Sequence, residues 1–354
     1  MDLLTLLSEM TEGVSDLHLV AGQPPVFRKD GHLIRREGPV LSKDMLVEEL
    51  VMPHLSERHR HLVLNSNNSV LTTVLYGQRR FRMHVFHERG GVSATIRIVP
   101  NKVPTLDELG LPEGPRELLR KFTKILRGII FVTGPAGSGK TTTLASLVEE
   151  INRTRGERIM TLENPIEYVF ESKESLITQQ EFGTDFFDLP AALRDVFYAD
   201  PDIVVISELK NLEVLHLALS LAETGHLIFA PLSSPNVSDA LTRLVEAFPE
   251  AMRPEIRRLL SNNVQAVIAQ SLLPRTGRPG RIALHEILIG TPRVRQLIRD
   301  GQSDLTVAIE GGREIGMQTM DDALVKAVEA GEISREMALS RLIDRSRLEA
   351  LSSN

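Results

Sequence analysis

The chain has 354 residues, 42% of them hydrophobic, with a formal net charge of −6. That length suits about two domains, and the absence of cysteine excludes a disulfide framework or a thiolate metal site. No run of about 18 apolar residues is present for a transmembrane helix, and mild acidity without tryptophan speaks against a nucleic-acid stacking platform.

Residues 1–10 carry acids and no basic leader region, so they read as a short amphipathic helix rather than a secretory signal, and the expected setting is cytoplasmic. Residues 15–100 pattern as a small α+β domain. Residues 15–20 are strand-like, and 26–28 and 32–35 flank the turn Lys29-Asp30-Gly31 as a hairpin. Residues 42–64 have a helical pattern broken at Pro53, with Ser42 as N-cap. Strands are expected over 69–76, 79–87 and 92–99. In the middle one Arg80, Arg82 and His84 alternate with Phe81, Met83 and Val85, one basic face against one apolar face. The proline-containing stretch 101–116 follows as a linker.

From about residue 117 strands alternate with helices, which implies an α/β fold with a parallel sheet. Strands are expected over 128–133, 158–163, 202–207 and 226–232, and helices near 188–199 and 211–224. Between the first strand and the helix after it lies Gly134-Pro135-Ala136-Gly137-Ser138-Gly139-Lys140-Thr141. It satisfies the phosphate-loop pattern G-x-x-x-x-G-K-[ST], here followed by Thr142. Glycines let backbone N–H groups curl round a phosphate, Lys140 reaches the outer phosphates, and the Thr141 hydroxyl can ligate Mg²⁺. ATP with Mg²⁺ is therefore the expected ligand. Ligands of such sheets bind at the carboxyl ends of the strands, which makes Glu163 and Glu208 candidate catalytic carboxylates. Arg80, Arg82 and Arg97 could serve a neighbouring subunit as arginine fingers, or simply form a solvated basic face. His226, at a strand start, is a further candidate, although such a histidine is more often structural.

The last hundred residues read as mostly helical. Residues 255–272 are amphipathic, 281–288 extended, and 292–299, 320–330 and 334–352 helical. The domain plan is thus 1–100, a linker over 101–116, a core over 117–290 and a helical region over 291–354.

Nearly the whole chain resembles the type IV pilus retraction ATPases, the PilT/PilU family of secretion-type motors. The stretches that carry the resemblance are 15–18 (SDLH), 134–143 (GPAGSGKTTT), 163–167 (ENPIE), 200–203 (DPDI), 222–227 (AETGHL), 285–292 (HEILIGTP) and 316–321 (GMQTMD). The resemblance implies a PAS-like N-terminal domain on a RecA-like core and a homohexameric ring. It also implies a cytoplasmic place at an inner-membrane pilus platform protein, with a paralogous retraction ATPase as a further partner. It makes Arg82 and Arg97 trans contacts to a neighbour's nucleotide, and His226 the first member of a histidine box.

Three departures accompany it. Asn164 stands where the family has Asp. Ser207 to Asn211 replaces a Gly-Glu-Met-Arg-Asp stretch but keeps Glu208. Ser233 stands where the family has the second histidine, and a hydroxyl cannot carry the charge of an imidazolium. Two functions follow: a motor that hydrolyses ATP to disassemble a pilus, or a nucleotide-binding paralogue with weak turnover that assists an active motor. An assembly ATPase fits less well, because those relatives carry a long N-terminal extension and commonly a four-cysteine zinc module.

Overall fold

The computed structural model describes residues 2–11, 13–29, 32–66, 68–100, 102–209 and 211–349. Asp30 and Gly31 of the expected turn, Asn101, Lys210 and residues 350–352 lie outside these. The chain divides into two compact units: residues 1–102 with Glu167–Val169, and 103–166 with 170–354.

In the first unit, α1 (Leu3–Ser8) starts where the Asp2 carboxylate accepts the Thr5 N–H at 2.9 Å. Strands β1 (Val14–Leu19), β2 (Val26–Lys29) and β3 (His32–Arg35) precede two short helical turns, Met45–Val51 and Met52–His54, and then α2 (Glu57–Ser66). Ser42 caps this region through the Met45 N–H at 3.1 Å, and the helical path breaks at Pro53 as proline requires. Strands β4 (Val70–Tyr76), β5 (Arg79–Glu88) and β6 (Gly91–Val99) complete a sheet ordered β3-β2-β1-β6-β5-β4. All its pairings are antiparallel among the described residues. Phe81, Met83 and Val85 are fully buried, while Arg80, Arg82 and His84 take the opposite face.

The second unit begins with α3 (Glu113–Phe122), β7 (Gly128–Thr133), α4 (Lys140–Thr154), β8 (Arg158–Glu163) and β9 (Leu176–Glu181). It continues with α5 (Leu189–Val196), β10 (Ile203–Ile206), α6 (Leu212–Glu223), β11 (Leu227–Pro231), α7 (Val237–Glu246) and α8 (Arg253–Asn263). Strands β12 (Val264–Pro274) and β13 (Arg281–Ile289) follow. The end is helical: α9 (Pro292–Arg299), α10 (Thr306–Gly311), α11 (Met320–Glu329), α12 (Arg335–Leu339) and α13 (Ser346–Glu349). The sheet order is β13-β12-β7-β11-β10-β8-β9, parallel except for β13 against β12. Ile129 and Phe131 of β7 join one apolar layer, and Ile130 and Val132 join the other. Burial on both faces is why the central strands read as continuous apolar runs.

Two expectations need correction. Residues 255–272 are not one amphipathic helix: α8 stops at Asn263, and the rest is β12, hydrogen-bonded to β7 on one side and β13 on the other. The segment's spacing suits a helix, but a strand seated between two partners buries its apolar side chains on both faces, and that tertiary setting overrides local pattern. Residues 334–352 do not form one helix either. Ser334 does cap α12 through the Met337 N–H at 3.1 Å, but the helix ends at Leu339, and Asp321 accepts the N–H groups of Ile343 and Asp344 instead.

Because Ile268 is fully buried between two layers, Ile268→Ala is expected to cost about 2–4 kcal/mol in a denaturant titration. A loss well under 1 kcal/mol would contradict the central strand.

Candidate functional site

β7 runs into the glycine loop, and the loop turns directly into α4. Gly134 and Gly139 have φ of 148° and 88°, in the region that favours glycine. There is also no space for a side chain: a Cβ on Gly134 would lie 2.4 Å from the Gln270 carbonyl oxygen, and one on Gly139 2.8 Å from Gln270 Nε2. Pro135, Ala136 and Gly137 form the exposed crest, and Ser138 turns inward.

The 15-residue α4 starts at Gly139 with no side-chain cap. Its first-turn N–H groups need an acceptor, and its dipole favours an anion there. Lys140 Nζ donates to the carbonyls of Gly134 and Pro135 at 2.8 and 2.9 Å, and burial pushes its pKa down. Thr141 is exposed at the helix start, with Thr142 half-buried beside it. Uncapped N–H groups, an ammonium and an exposed hydroxyl fit a polyphosphate and its divalent cation.

The strand order arranges the rest of this edge. β11 flanks β7 directly, and the chain leaving it is held by a reciprocal pair of bonds. The Thr133 hydroxyl donates to the Ser234 carbonyl at 2.8 Å and accepts the Ser234 N–H at 2.9 Å. Ser233 is left exposed next to the loop. Beyond it lies β10, whose end delivers half-buried Glu208; two strand spacings place Glu208 ~10 Å across the sheet from β7. Asn211 caps α6 by accepting the Glu213 N–H at 2.8 Å, a role Asn and Asp fill equally well, so that departure is structurally silent.

Glu163 ends β8, one strand further out, and is 9% exposed. Its carboxylate accepts from Thr161 Oγ1 at 2.6 Å and Gln179 Nε2 at 2.9 Å. Gln179 belongs to β9, a strand the sequence does not announce. Buried Glu286, on β13, accepts the N–H of Val237 at 2.7 Å and that of Met320 at 3.4 Å, so one carboxylate serves the first turns of α7 and α11. Burial pushes its pKa up against those bonds.

His226 requires correction. It precedes β11, whose first residue pairs with Gly128, so it sits at the amino edge of the sheet, the length of β11 (~17 Å) from the loop. Its Nδ1 lies 2.9 Å from the Leu221 carbonyl, and its ring meets the edge of Phe197. This histidine closes the end of α6.

In the first unit, Arg82 and Arg97 stand opposite each other on β5 and β6. Arg97 Nε donates to Asp16 at 2.7 Å; Asp16 is buried, whereas the arginine side chain stays 56% exposed. Burial pushes the Asp16 carboxyl up, but bonds from Arg97 and Ser15 outweigh it and hold the pKa below the usual range. Arg82 lies 3.5 Å from Glu167.

Sequence reasoning missed a buried pair beneath the loop, Gln270 and His285. Gln270 Nε2 donates to the Ser138 carbonyl at 2.6 Å, and its Oε1 lies 2.7 Å from Thr143 Oγ1 and 3.1 Å from His285 Nε2. The carbonyl can only accept, so the Gln270 amide nitrogen must face it, and His285 then donates from Nε2. None of the stretches that carry the resemblance contains Gln270, and the one that opens on His285 does not pair the two; only the alternation of β12 against β13 could have done so.

The family model described as "Type II/IV secretion system protein" matches residues 4–340. The type IV pilus retraction ATPase PilT of Pseudomonas aeruginosa is 39% identical, over 96% of this chain and 97% of its own length. The type IV pilus ATPase PilU of the same organism is 34% identical, over 96% and 88%. A crystal structure of the pilus retraction motor PilT with bound ADP superposes with a TM-score of 0.89 at 37% identity, covering 99% of both chains.

Burial pushes the His285 pKa down to about 4. An unfolded histidine titrates near 6.5, so the unfolded chain takes up the proton first as pH falls, and stability drops between about pH 6.5 and 4 by on the order of 3 kcal/mol. Thermal melts across that range should show this loss in the native protein and a flatter profile in His285→Gln. Identical profiles would remove His285 as the cause.

Proposed function

The chain belongs to the type II/IV secretion system protein family, on its pilus-retraction branch, and from that membership we propose that it is a hexameric motor ATPase that couples ATP hydrolysis to type IV pilus disassembly. The observation that carries this is the uncapped start of α4 behind a loop whose Gly134 and Gly139 leave no space for a side chain, within a chain that matches PilT across both units. Bound MgATP supplies the phosphoanhydride and the charge-neutralising cation. Residues 134–142 cradle the phosphates. Lys140 exchanges its two loop carbonyls for phosphate oxygens, and Thr141 turns its hydroxyl to the cation. Glu208 orients the attacking water from the end of β10, and Glu163, held by Thr161 and Gln179, adds negative charge further out.

Arg97 acts in trans on the nucleotide of the next subunit in the ring, and Arg82 stands beside it. Asp16 holds Nε, which aims the exposed end of the Arg97 guanidinium. The motor works peripherally at the inner membrane through a platform protein; among the described residues no helix is long and apolar enough to cross a membrane. A PilU-like paralogue is a natural companion. The rival function, a partner subunit with weak turnover, rests on Ser233 in place of histidine, and the full-length likeness to a retraction ATPase favours the motor.

Purified protein is expected to hydrolyse ATP, with turnover abolished in Lys140→Ala and Glu208→Ala while Glu208→Ala still binds nucleotide. Turnover no higher than in these variants would sink the motor. Ser233→His is expected to raise turnover several-fold, as restoring a proton-carrying side chain should; an unchanged rate would clear Ser233 of any part in a slow step. Mixing Arg97→Ala with Glu208→Ala subunits should recover activity lost in each alone, because some interfaces then pair an intact arginine with an intact glutamate. Failure of the mixture to recover any activity would place both residues on one subunit's own nucleotide.

A further inference from the structure

We propose that Gln270 is a positioning residue for the nucleotide loop, oriented by the Ser138 carbonyl and held at its oxygen by Thr143 and His285. β12 lies parallel to β7 with Ala269 opposite Thr133, so Gln270 comes level with the first residue of the loop. Its backbone oxygen sets the floor beneath Gly134, and its side chain reaches past Gly139. The amide then bonds both sides of the junction: Ser138 in the loop through Nε2, and Thr143 in the first turn of α4 through Oε1. These two bonds span the stretch whose N–H groups face the phosphates. They fix how far the loop stands from the helix, and with it the direction of the donors.

Filling the core cannot account for this residue. Gln270 is 2% exposed, and an apolar side chain of the same volume would fill the space without the desolvation cost of a buried amide. The Ser138 carbonyl, which can only accept, prevents the amide from flipping, and His285 sits at Oε1. A flipped amide would set its oxygen against the Ser138 carbonyl, a repulsive contact in a buried site. The proposal rests on reading 134–142 as the nucleotide loop.

The test is ADP affinity, with and without Mg²⁺, together with kcat and KM for ATP and melting without nucleotide. Gln270→Leu should weaken ADP binding roughly 10-fold or more, the scale of one or two lost hydrogen bonds, and raise KM more than it lowers kcat. Gln270→Glu has nearly the native shape but turns an acceptor to the Ser138 carbonyl and adds charge beneath the phosphates, so it should lose more than Gln270→Leu. Thr143→Val should resemble Gln270→Leu, whereas Thr143→Ser keeps the hydroxyl and should bind as the native protein does. The double substitution Gln270→Leu with Thr143→Val should lose no more than either single change, because both break one unit.

If Gln270→Leu folds and binds ADP like the native protein while Lys140→Ala does not, the positioning role is overturned and the nucleotide loop stands. If the native protein binds no ADP, the loop reading fails and the proposal falls with it. If Gln270→Leu does not fold, the Thr143 pair decides, and equal affinities for Val and Ser overturn the proposal.

Discussion

The second unit depends on a helix whose first turn has no side-chain cap. In most helices a serine, threonine, aspartate or asparagine fills that place, as Asp188, Asn211, Asn236, Thr291, Thr319 and Ser334 do elsewhere in this chain. At α4 a glycine in the left-handed region stands there instead, with no side-chain cap, at the carboxyl edge of a buried parallel sheet. Such an end is stable only if its surroundings compensate. Both neighbours of β7 contribute, β12 through the Gln270 amide and β11 through the reciprocal bonds of Thr133 and Ser234. The anion-binding end of the helix is thus set by residues outside the loop as much as by the loop.

The placing of the proposed reacting groups then follows from strand order. With β11 between β7 and β10, Glu208 stands off from the loop at a distance that leaves space for a terminal phosphate and a water. Ser233 lies on the intervening strand's exit. The same order puts Glu163 beyond them, its carboxylate held by a hydroxyl and an amide. In the first unit the Arg97–Asp16 pair has a different logic. A buried carboxylate holds one edge of a guanidinium whose far side stays wet, which keeps the charge poised at a surface.

How much of this was legible follows from which physical signals are local. The phosphate loop, the flanking strand and helix, and the alternating faces of β5 were readable because glycine stereochemistry, apolar runs and period-two patterning are local. The resemblance carried the family. The strand β12 was hidden, because Val264 to Leu272 has helical spacing and only its two strand partners decide otherwise. β9, with its exposed and half-buried polar residues, has no apolar alternation to announce it. His226 was misplaced for a related reason: sequence shows that it adjoins a strand but not that the strand's amino end is the wrong edge. The Gln270–His285 pair needed the antiparallel register of β12 and β13 as well as the parallel register of β12 and β7.

The bond between Ser138 and Gln270 joins positions 132 residues apart. On a ribosome that adds about 5–20 residues per second, a growing chain therefore carries its glycine loop for roughly ten seconds before its floor exists. For most of that interval β7 also lacks β11, and for nearly all of it β12, its two partners in the sheet. Maturation of this site is thus a late event in synthesis: a nascent chain gains the geometry that grips a phosphate only when its last parallel strand arrives.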